Sequence, residues 1–191
     1  MNGIELLVVF APQDFRDQEL LCAIDVLTRR GFTPVLASTR SGTTRGMVGT
    51  ELEAAVALDW VSEDTLDAIV VIGGTGAQVH LWHHPTLKRL VQTVHGRGGL
   101  VGAGTSAAAV LAQAGVLQGR EVAGFDHPDT LHELRDGGAR PQDRAVVVSG
   151  SIVTLSDESQ ATAWLETIAG MLEGFAAASR ASNAQHSEFS T

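Results

Sequence analysis

One pattern constrains this chain more than any other. Short, uninterrupted apolar runs end at small-residue turns and are followed by stretches of helical periodicity. Leu6–Phe10 and Ala68–Ile72 are the plainest runs, and Leu100–Val101 opens a shorter one ending at Gly104. A run that is apolar at every position, not every second one, belongs to a strand buried on both faces, as in a parallel sheet covered by helices. The intervening segments agree. Asp17–Arg30 reads as a helix with Leu20, Leu21, Ile24 and Leu27 on one face, stopped by Gly31, and Thr33–Ala37 returns as a strand. Pro85–His95 is helical with proline in its first turn, and Ala107–Ala114 is helical up to Gly115. Between Thr43 and Ala57, glycines around Glu51-Leu52-Glu53 predict a small hairpin excursion. Val146–Val148 and Ile152–Thr154 predict a hairpin about Ser149-Gly150-Ser151. Asp157 and Gln160 offer a capping-box start for a last helix reaching about Phe175. The expectation is an α/β protein: a mostly parallel central sheet, helices on both faces and a small β-hairpin excursion. It has one domain over 1–175, followed by a tail without order over 176–191.

Composition narrows the function. Of 191 residues, 44% are hydrophobic, enough for a sizeable core, and 18% charged, too few for a disordered polyelectrolyte. A net charge of -9 and a pI near 5.1 speak against a nucleic-acid groove or a basic membrane patch. No apolar run approaches the roughly 18 to 20 residues of a membrane span, and the start, MNGIELLVVFAP, has no basic leader segment. A soluble cytoplasmic protein is expected, with no nucleic-acid or membrane partner. The single cysteine, Cys22, rules out a disulfide framework and a thiol-rich metal site. Set among Leu20, Leu21 and Ile24, it reads as a small buried hydrophobe.

Doubly wound sheets bind ligands at the carboxyl ends of their strands, so three loops matter: Ala11–Glu19, Gly73–Ala77 and Gly102–Ala107. The segment Val101-Gly102-Ala103-Gly104-Thr105-Ser106-Ala107 admits three readings. It is a nucleophile elbow raising Thr105 or, less well, Ser106; a dinucleotide fingerprint on Gly102, Gly104 and Ala107; or close strand–helix packing alone. Gly73-Gly74-Thr75-Gly76 is either an oxyanion cradle or a plain glycine turn. Glu19 suits a helix first turn, and Asp14, Arg16 and Asp17 read as loop or capping residues, with Arg16 and Asp17 also expected among the substrate-binding positions. His80, His83 and His84 have ligand-like spacing, yet no further ligand stands nearby in sequence, and a wet helix face is the better reading. His127, in Phe125-Asp126-His127-Pro128, ends another strand-to-helix turn and is a site candidate. Neither metal nor cofactor is expected.

Taken together, these pieces resemble the ThiJ/PfpI superfamily over roughly residues 4 to 174. Phe15-Arg16-Asp17-Gln18-Glu19-Leu20 looks like its F-E-D-x-E-L block. Asp67-Ala68-Ile69-Val70-Val71-Ile72-Gly73-Gly74 looks like its D-A-L-V-x-P-G-G, and Ala114-Gly115-Val116-Leu117-Gln118-Gly119-Arg120 like its A-G-V-L-x-G-R/K. The resemblance implies a flavodoxin-like fold and a homodimer or higher homo-oligomer. It also implies that Thr105 occupies the elbow position where the family carries a cysteine, with Ser106 next to it. Glu19 matches the acidic residue beside the family's thiolate, while Gly74 and the Ser106 N–H match its oxyanion hole; His127 matches a site histidine more loosely. A threonine hydroxyl does not ionise near neutral pH, so the usual deglycase, glyoxalase or peptidase reaction is not expected. Three functions follow. The first is a small-molecule enzyme using Glu19 as acid/base, with Thr105 and the Gly74 and Ser106 amides positioning a substrate for hydratase, lyase, isomerase or carbonyl chemistry. The second is a catalytically degenerate ligand-binding domain, and the third a hydrolase with Thr105 or Ser106 as nucleophile.

Overall fold

A computed structural model describes residues 4–188, with side chains as far as Ala177. The chain opens with β1 (Leu6–Val9), β2 (Gln13–Phe15) and α1 (Asp17–Arg29), then β3 (Val35–Ser38). Next come β4 (Gly42–Gly46), β5 (Glu51–Ala54), β6 (Val56–Ala57) and β7 (Ala68–Val71). The helices α2 (Thr75–His80) and α3 (Pro85–Gly96) precede β8 (Leu100–Gly104), α4 (Ala108–Gln113), β9 (Glu121–Ala123) and α5 (Pro128–Asp136). The strands β10 (Arg140–Gln142), β11 (Val146–Ser149) and β12 (Ile152–Leu155) lead into α6 (Ala161–Glu188).

Seven strands form the main sheet, in the order β11-β12-β8-β7-β1-β3-β6. Every pairing in it is parallel except β11 with β12, the hairpin expected about Gly150. Alternation along β1 divides the core: Leu6, Val8 and Phe10 pack with α1 and α6, whereas Leu7 and Val9 pack with α3 and α4. Helices therefore cover both faces, as a flavodoxin-like fold requires. The excursion is real but more elaborate than a hairpin: β4 and β5 pair antiparallel, β2 adds to β4, and β6 leaves to join the main sheet.

Two boundaries differ from expectation for identifiable reasons. The buried stripe of α1 is Leu20, Ala23, Val26 and Leu27, while Leu21 faces outward, because α6 packs on the Ala23 side. The last helix runs past Phe175 to Glu188 and so occupies most of the expected tail; no glycine or proline interrupts Phe175–Glu188, and alanines recur through it. The final residues, 189–191, lie outside the described ones. Asp157 does cap, but its carboxylate accepts the Ser159 N–H at 2.9 Å, opening a 3-10 turn ahead of α6. Among the described residues, no helix is long and apolar enough to cross a membrane.

Candidate functional site

The chain leaves β8 at Gly104 and enters a 3-10 turn over Thr105–Ala107 before α4. Thr105 takes φ 33°, in the left-handed region that a β-branched residue occupies only under constraint. That bend lays its side chain against Glu19, whose Oε1 accepts the Thr105 hydroxyl at 2.8 Å. The other carboxylate oxygen, Oε2, accepts the Gly73 N–H at 2.7 Å. Both Glu19 and Thr105 are completely buried. The glycines are the condition for this closeness: a Cβ on Gly73 would strike Thr105 Oγ1, and one on Gly104 would strike the Glu19 carboxylate. Of the three readings of the segment, the geometry is that of an elbow. Close packing is also present, since a Cβ on Gly102 would lie 2.8 Å from Ile168 Cδ1. The dinucleotide reading fails, because Gly104 faces a carboxylate that would repel a pyrophosphate.

Burial pushes the Glu19 carboxyl from its ordinary 4.5 up to about 7, against the opposing hydrogen bonds from Gly73 and Thr105 and the charge of Arg16. A group so placed exchanges its proton near neutral pH, as an acid/base catalyst must.

Above this pair lies a small cavity of about 80 Å³. The β7–α2 turn contributes Gly74, Thr75 and Gln78 to it, and the elbow contributes Ser106. Arg16 comes from the N-cap of α1, and Phe125, His127 and Thr130 from the approach to α5. Glu19 and Thr105 do not line it, whereas Ser106, the next residue along the chain from Thr105, does. The Ser106 hydroxyl donates to the Gly74 carbonyl at 2.8 Å and accepts the Gly74 N–H at 3.0 Å. The oxyanion donor expected at Gly74 is thus engaged by a neighbouring side chain. Trp82 Nε1 fixes the same turn through the Ser106 carbonyl at 2.9 Å.

Arg16 is the most connected residue of the wall. Its Nη1 is ion-paired with Glu158, and its guanidinium carbon sits 5.2 Å from the Phe125 ring centre. The Phe125 ring in turn stacks with His127, with centroids 6.3 Å apart. The Nε of Arg16 stands 3.9 Å from Glu19 Oε1 and has no hydrogen-bond partner. Thr130 is likewise buried with its hydroxyl unpartnered. Two of the residues lining this cavity thus carry a buried polar atom without a hydrogen-bond partner.

Not every expected site residue gathers here. Thr75 and His127 line the cavity from exposed positions, and Gly73 and Gly104 lie beneath it beside Glu19. Asp17 points elsewhere: its carboxylate accepts the Val48 N–H at 3.0 Å and the Thr50 N–H at 2.9 Å, tying the β4–β5 turn to α1. Burial works against its ionisation, but bonds from Thr50 and Val48 outweigh that and hold the carboxyl below its usual range. It is a structural residue. Cys22 is half-buried, its Sγ 3.6 Å from Thr162 Oγ1 between α1 and α6, and is not part of the cavity wall. Among the described residues no cluster of His, Cys, Asp or Glu is placed to hold a metal. Sequence reasoning missed Gln78, Thr130 and Glu158. Pro128, a favoured first-turn residue, signals a helix start that would have brought Thr130 to attention.

The DJ-1/PfpI family model matches residues 5–171. The chain belongs to the DJ-1/PfpI family. An uncharacterised protein of Methanocaldococcus jannaschii, MJ0967, is 34% identical over 154 residues, covering 81% of this chain and 75% of that protein. The glutathione-independent glyoxalase DJR-1.2 of Caenorhabditis elegans is 29% identical over 168 residues, 88% of each chain. The ThiJ/PfpI domain protein of Brachyspira murdochii superposes with a TM-score of 0.84 at 25% identity, covering 89% of this chain and 96% of that one. DJ-1/PfpI relatives include proteins named as glyoxalases and deglycases.

Proposed function

We propose that this DJ-1/PfpI protein is a small-molecule enzyme that works without a cysteine nucleophile, using Glu19 as its acid/base group. One observation carries the reading: a fully buried carboxyl, poised near pH 7, shares a 2.8 Å hydrogen bond with a hydroxyl at the elbow. The chain's single cysteine stands away from the cavity wall. The pair suits proton transfer. When Glu19 is ionised, Thr105 donates to it and leaves an oxygen lone pair free. A substrate proton can pass to that oxygen as the threonine's own proton passes to Glu19, and the reverse step returns it to product. Nothing is oxidised or reduced, and no covalent intermediate forms. Hydratase, lyase and isomerase reactions need no more than this from the protein. For substrate to reach Thr105, the Ser106 hydroxyl must rotate away from Gly74, and that same rotation frees the Gly74 N–H for a developing oxyanion. Thr105 itself makes a poor nucleophile, since the base beside it, Glu19, is a carboxylate, far weaker than an alkoxide.

Glu19→Gln keeps shape and burial but cannot cycle a proton. Turnover should fall about 10²- to 10⁴-fold, the usual contribution of a positioned acid/base group, with ligand binding retained. Full turnover in this variant, measured on a panel of small carbonyl and hydroxy compounds, would end the proposal. A second reading has one observation in its favour: the engaged Gly74 N–H suits a ligand-binding domain that no longer reacts. Thermal-shift binding from the same panel with no product from any member would establish that alternative.

Assembly as a homodimer is also proposed. Leu21, Met47 and Val48 are exposed apolar residues on α1 and the turn tied to it through Asp17, and sedimentation of Val48→Asp against the native chain tests the face.

A further inference from the structure

Glu158 has no role in the chemistry above, yet it makes the strongest contact that Arg16 has. It belongs to the 3-10 turn before α6, at the far end of the chain from α1, and ion-pairs with Arg16 Nη1. The pair is partly shielded: the Arg16 side chain is 21% exposed and that of Glu158 44%. The same guanidinium has its Nε 3.9 Å from Glu19 Oε1, beyond hydrogen-bond reach, and that Nε finds no partner at all. A buried donor stranded about an ångström beyond hydrogen-bond reach of a fully buried carboxylate is held off it by something. Two contacts do so: the ion pair with Glu158 at one end and the Phe125 ring under its face.

We infer that Glu158 is a positioning residue, which by clamping Arg16 keeps the guanidinium from closing onto Glu19 and so sets the protonation of the site's buried carboxyl. The clamp divides one positive charge between two carboxylates. Released from Glu158, Arg16 needs to move only about an ångström to hydrogen-bond Glu19, and an opposite charge at that range favours the ionised form. The direct field of Glu158 acts in the same sense, opposing ionisation of Glu19.

Other charged groups near Glu19 are accounted for. Asp17 spends both oxygens on the β4–β5 turn, and Asp14 is exposed on β2. Asp129 accepts from Gln78 at the cavity rim, and His127 is exposed across the cavity. On α6, Glu166 and Glu173 are held by Arg30 at the other end of α1, where Asp25 pairs with Arg29. The segments of β7 and β8 beside Glu19 carry no charge. The clamp is therefore the adjustable element.

This inference gives a purpose to Glu19 as acid/base group and rests on that reading, but its test does not require turnover. The side-chain carboxyl of Glu19 is followed by carbon-13 NMR through a pH titration, the signal being assigned by its loss in Glu19→Gln. In the native protein the midpoint is expected near 7. Glu158→Gln should lower it by about one pH unit or more, the scale of an opposite charge brought within about 4 Å. Arg16→Gln should raise it. Through-space repulsion alone would make the effect of Glu158→Gln the same whether or not Arg16 is present. A clamp predicts that in the Arg16→Gln background the Glu158→Gln effect shrinks to a third or less. Equal effects in both backgrounds, a rise, or no movement would overturn the inference. Glu158→Ser serves as a second removal of the carboxylate should the glutamine variant not fold. Loss of turnover in Glu19→Gln without the predicted NMR shifts would leave the acid/base reading standing and remove the clamp.

Discussion

The two ends of the parallel sheet each carry a cavity, and they are unlike. At the amino ends of the strands, Asp64, Asp67, Arg97, Gly98 and Phe175 border a space of about 300 Å³. At the carboxyl ends the cavity over the elbow is near 80 Å³, and a second of about 190 Å³ is lined by Arg16, Asp17, Val48 and Glu158. Size favours the amino ends, whereas chemistry favours the cavity over the elbow. Around the large cavity the charges are exposed and satisfied: Arg97 donates to the carbonyls of Glu63 and Asp64 at 2.8 and 3.0 Å, and Asp67 accepts the Glu5 N–H. Around the small one lie a buried carboxyl with a displaced proton affinity, two donors without acceptors and a backbone bent into the left-handed region. Volume measures how loosely loops meet. Frustrated polar groups measure what a site is kept ready to do.

Glycine substitutions test this contrast most severely. Gly104→Ala would drive a methyl into the Glu19 carboxylate and should cost about 3 kcal/mol or more in chemical denaturation. Adding Glu19→Ala should recover part of that loss. Gly98, at the other end, has open space around its would-be Cβ but φ +79°, so Gly98→Ala should cost only about 1 kcal/mol, all of it backbone. Similar losses at the two glycines would mean that the carboxyl end is no more tightly built.

The next effect is on pH dependence. The folded chain holds the Glu19 proton more tightly than the unfolded chain does, so its contribution to stability is complete below about 4.5. That contribution is lost as pH rises through about 7. The expected loss is about 3 kcal/mol across that window. Comparing denaturation midpoints of the native chain with Glu19→Gln at pH 5 and pH 8 isolates it, because the glutamine cannot titrate. A constant difference between the two proteins would show that burial does not burden this carboxyl.

Thr105→Ala removes the hydroxyl that satisfies Glu19 Oε1 and should cost about 1 to 3 kcal/mol of stability, while lowering turnover less than Glu19→Gln does. Smallest of all, Arg97→Ala should change stability by less than about 1 kcal/mol, as exposed ion pairs do, and leave turnover within twofold. A large loss of turnover there would transfer the site to the opposite end of the sheet.

Much of this was readable beforehand, for local reasons. Leu6–Phe10 and Ala68–Ile72 are apolar at successive positions because helices cover both faces of the sheet, and that pattern needs no three-dimensional knowledge. The elbow was readable because Gly102, Gly104 and Ala107 leave so little beside Thr105 and Ser106. Other elements gave weak signals. The α2 helix is short and contains Gly76, and α5 buries only Thr130 and Leu134, so neither shows an apolar stripe. The Leu21 side of α1 was misjudged because α6, about 140 residues on, decides which side is covered. Long-range pairings such as Arg16 with Glu158 and Ser106 with Gly74 leave no trace in spacing, and they determine which donors are free. Sequence located the chemistry; only packing could show which of its groups were already occupied.

The left-handed backbone at residue 105 carries one more implication. Its cost, about 1 to 3 kcal/mol, is borne by the turn whatever side chain stands there, since Trp82, Gly73 and Gly104 hold the bend from outside. The position therefore behaves as a socket with an exchangeable plug. The neighbours fix the bend, and the residue at 105 decides only which atom meets the Glu19 carboxylate.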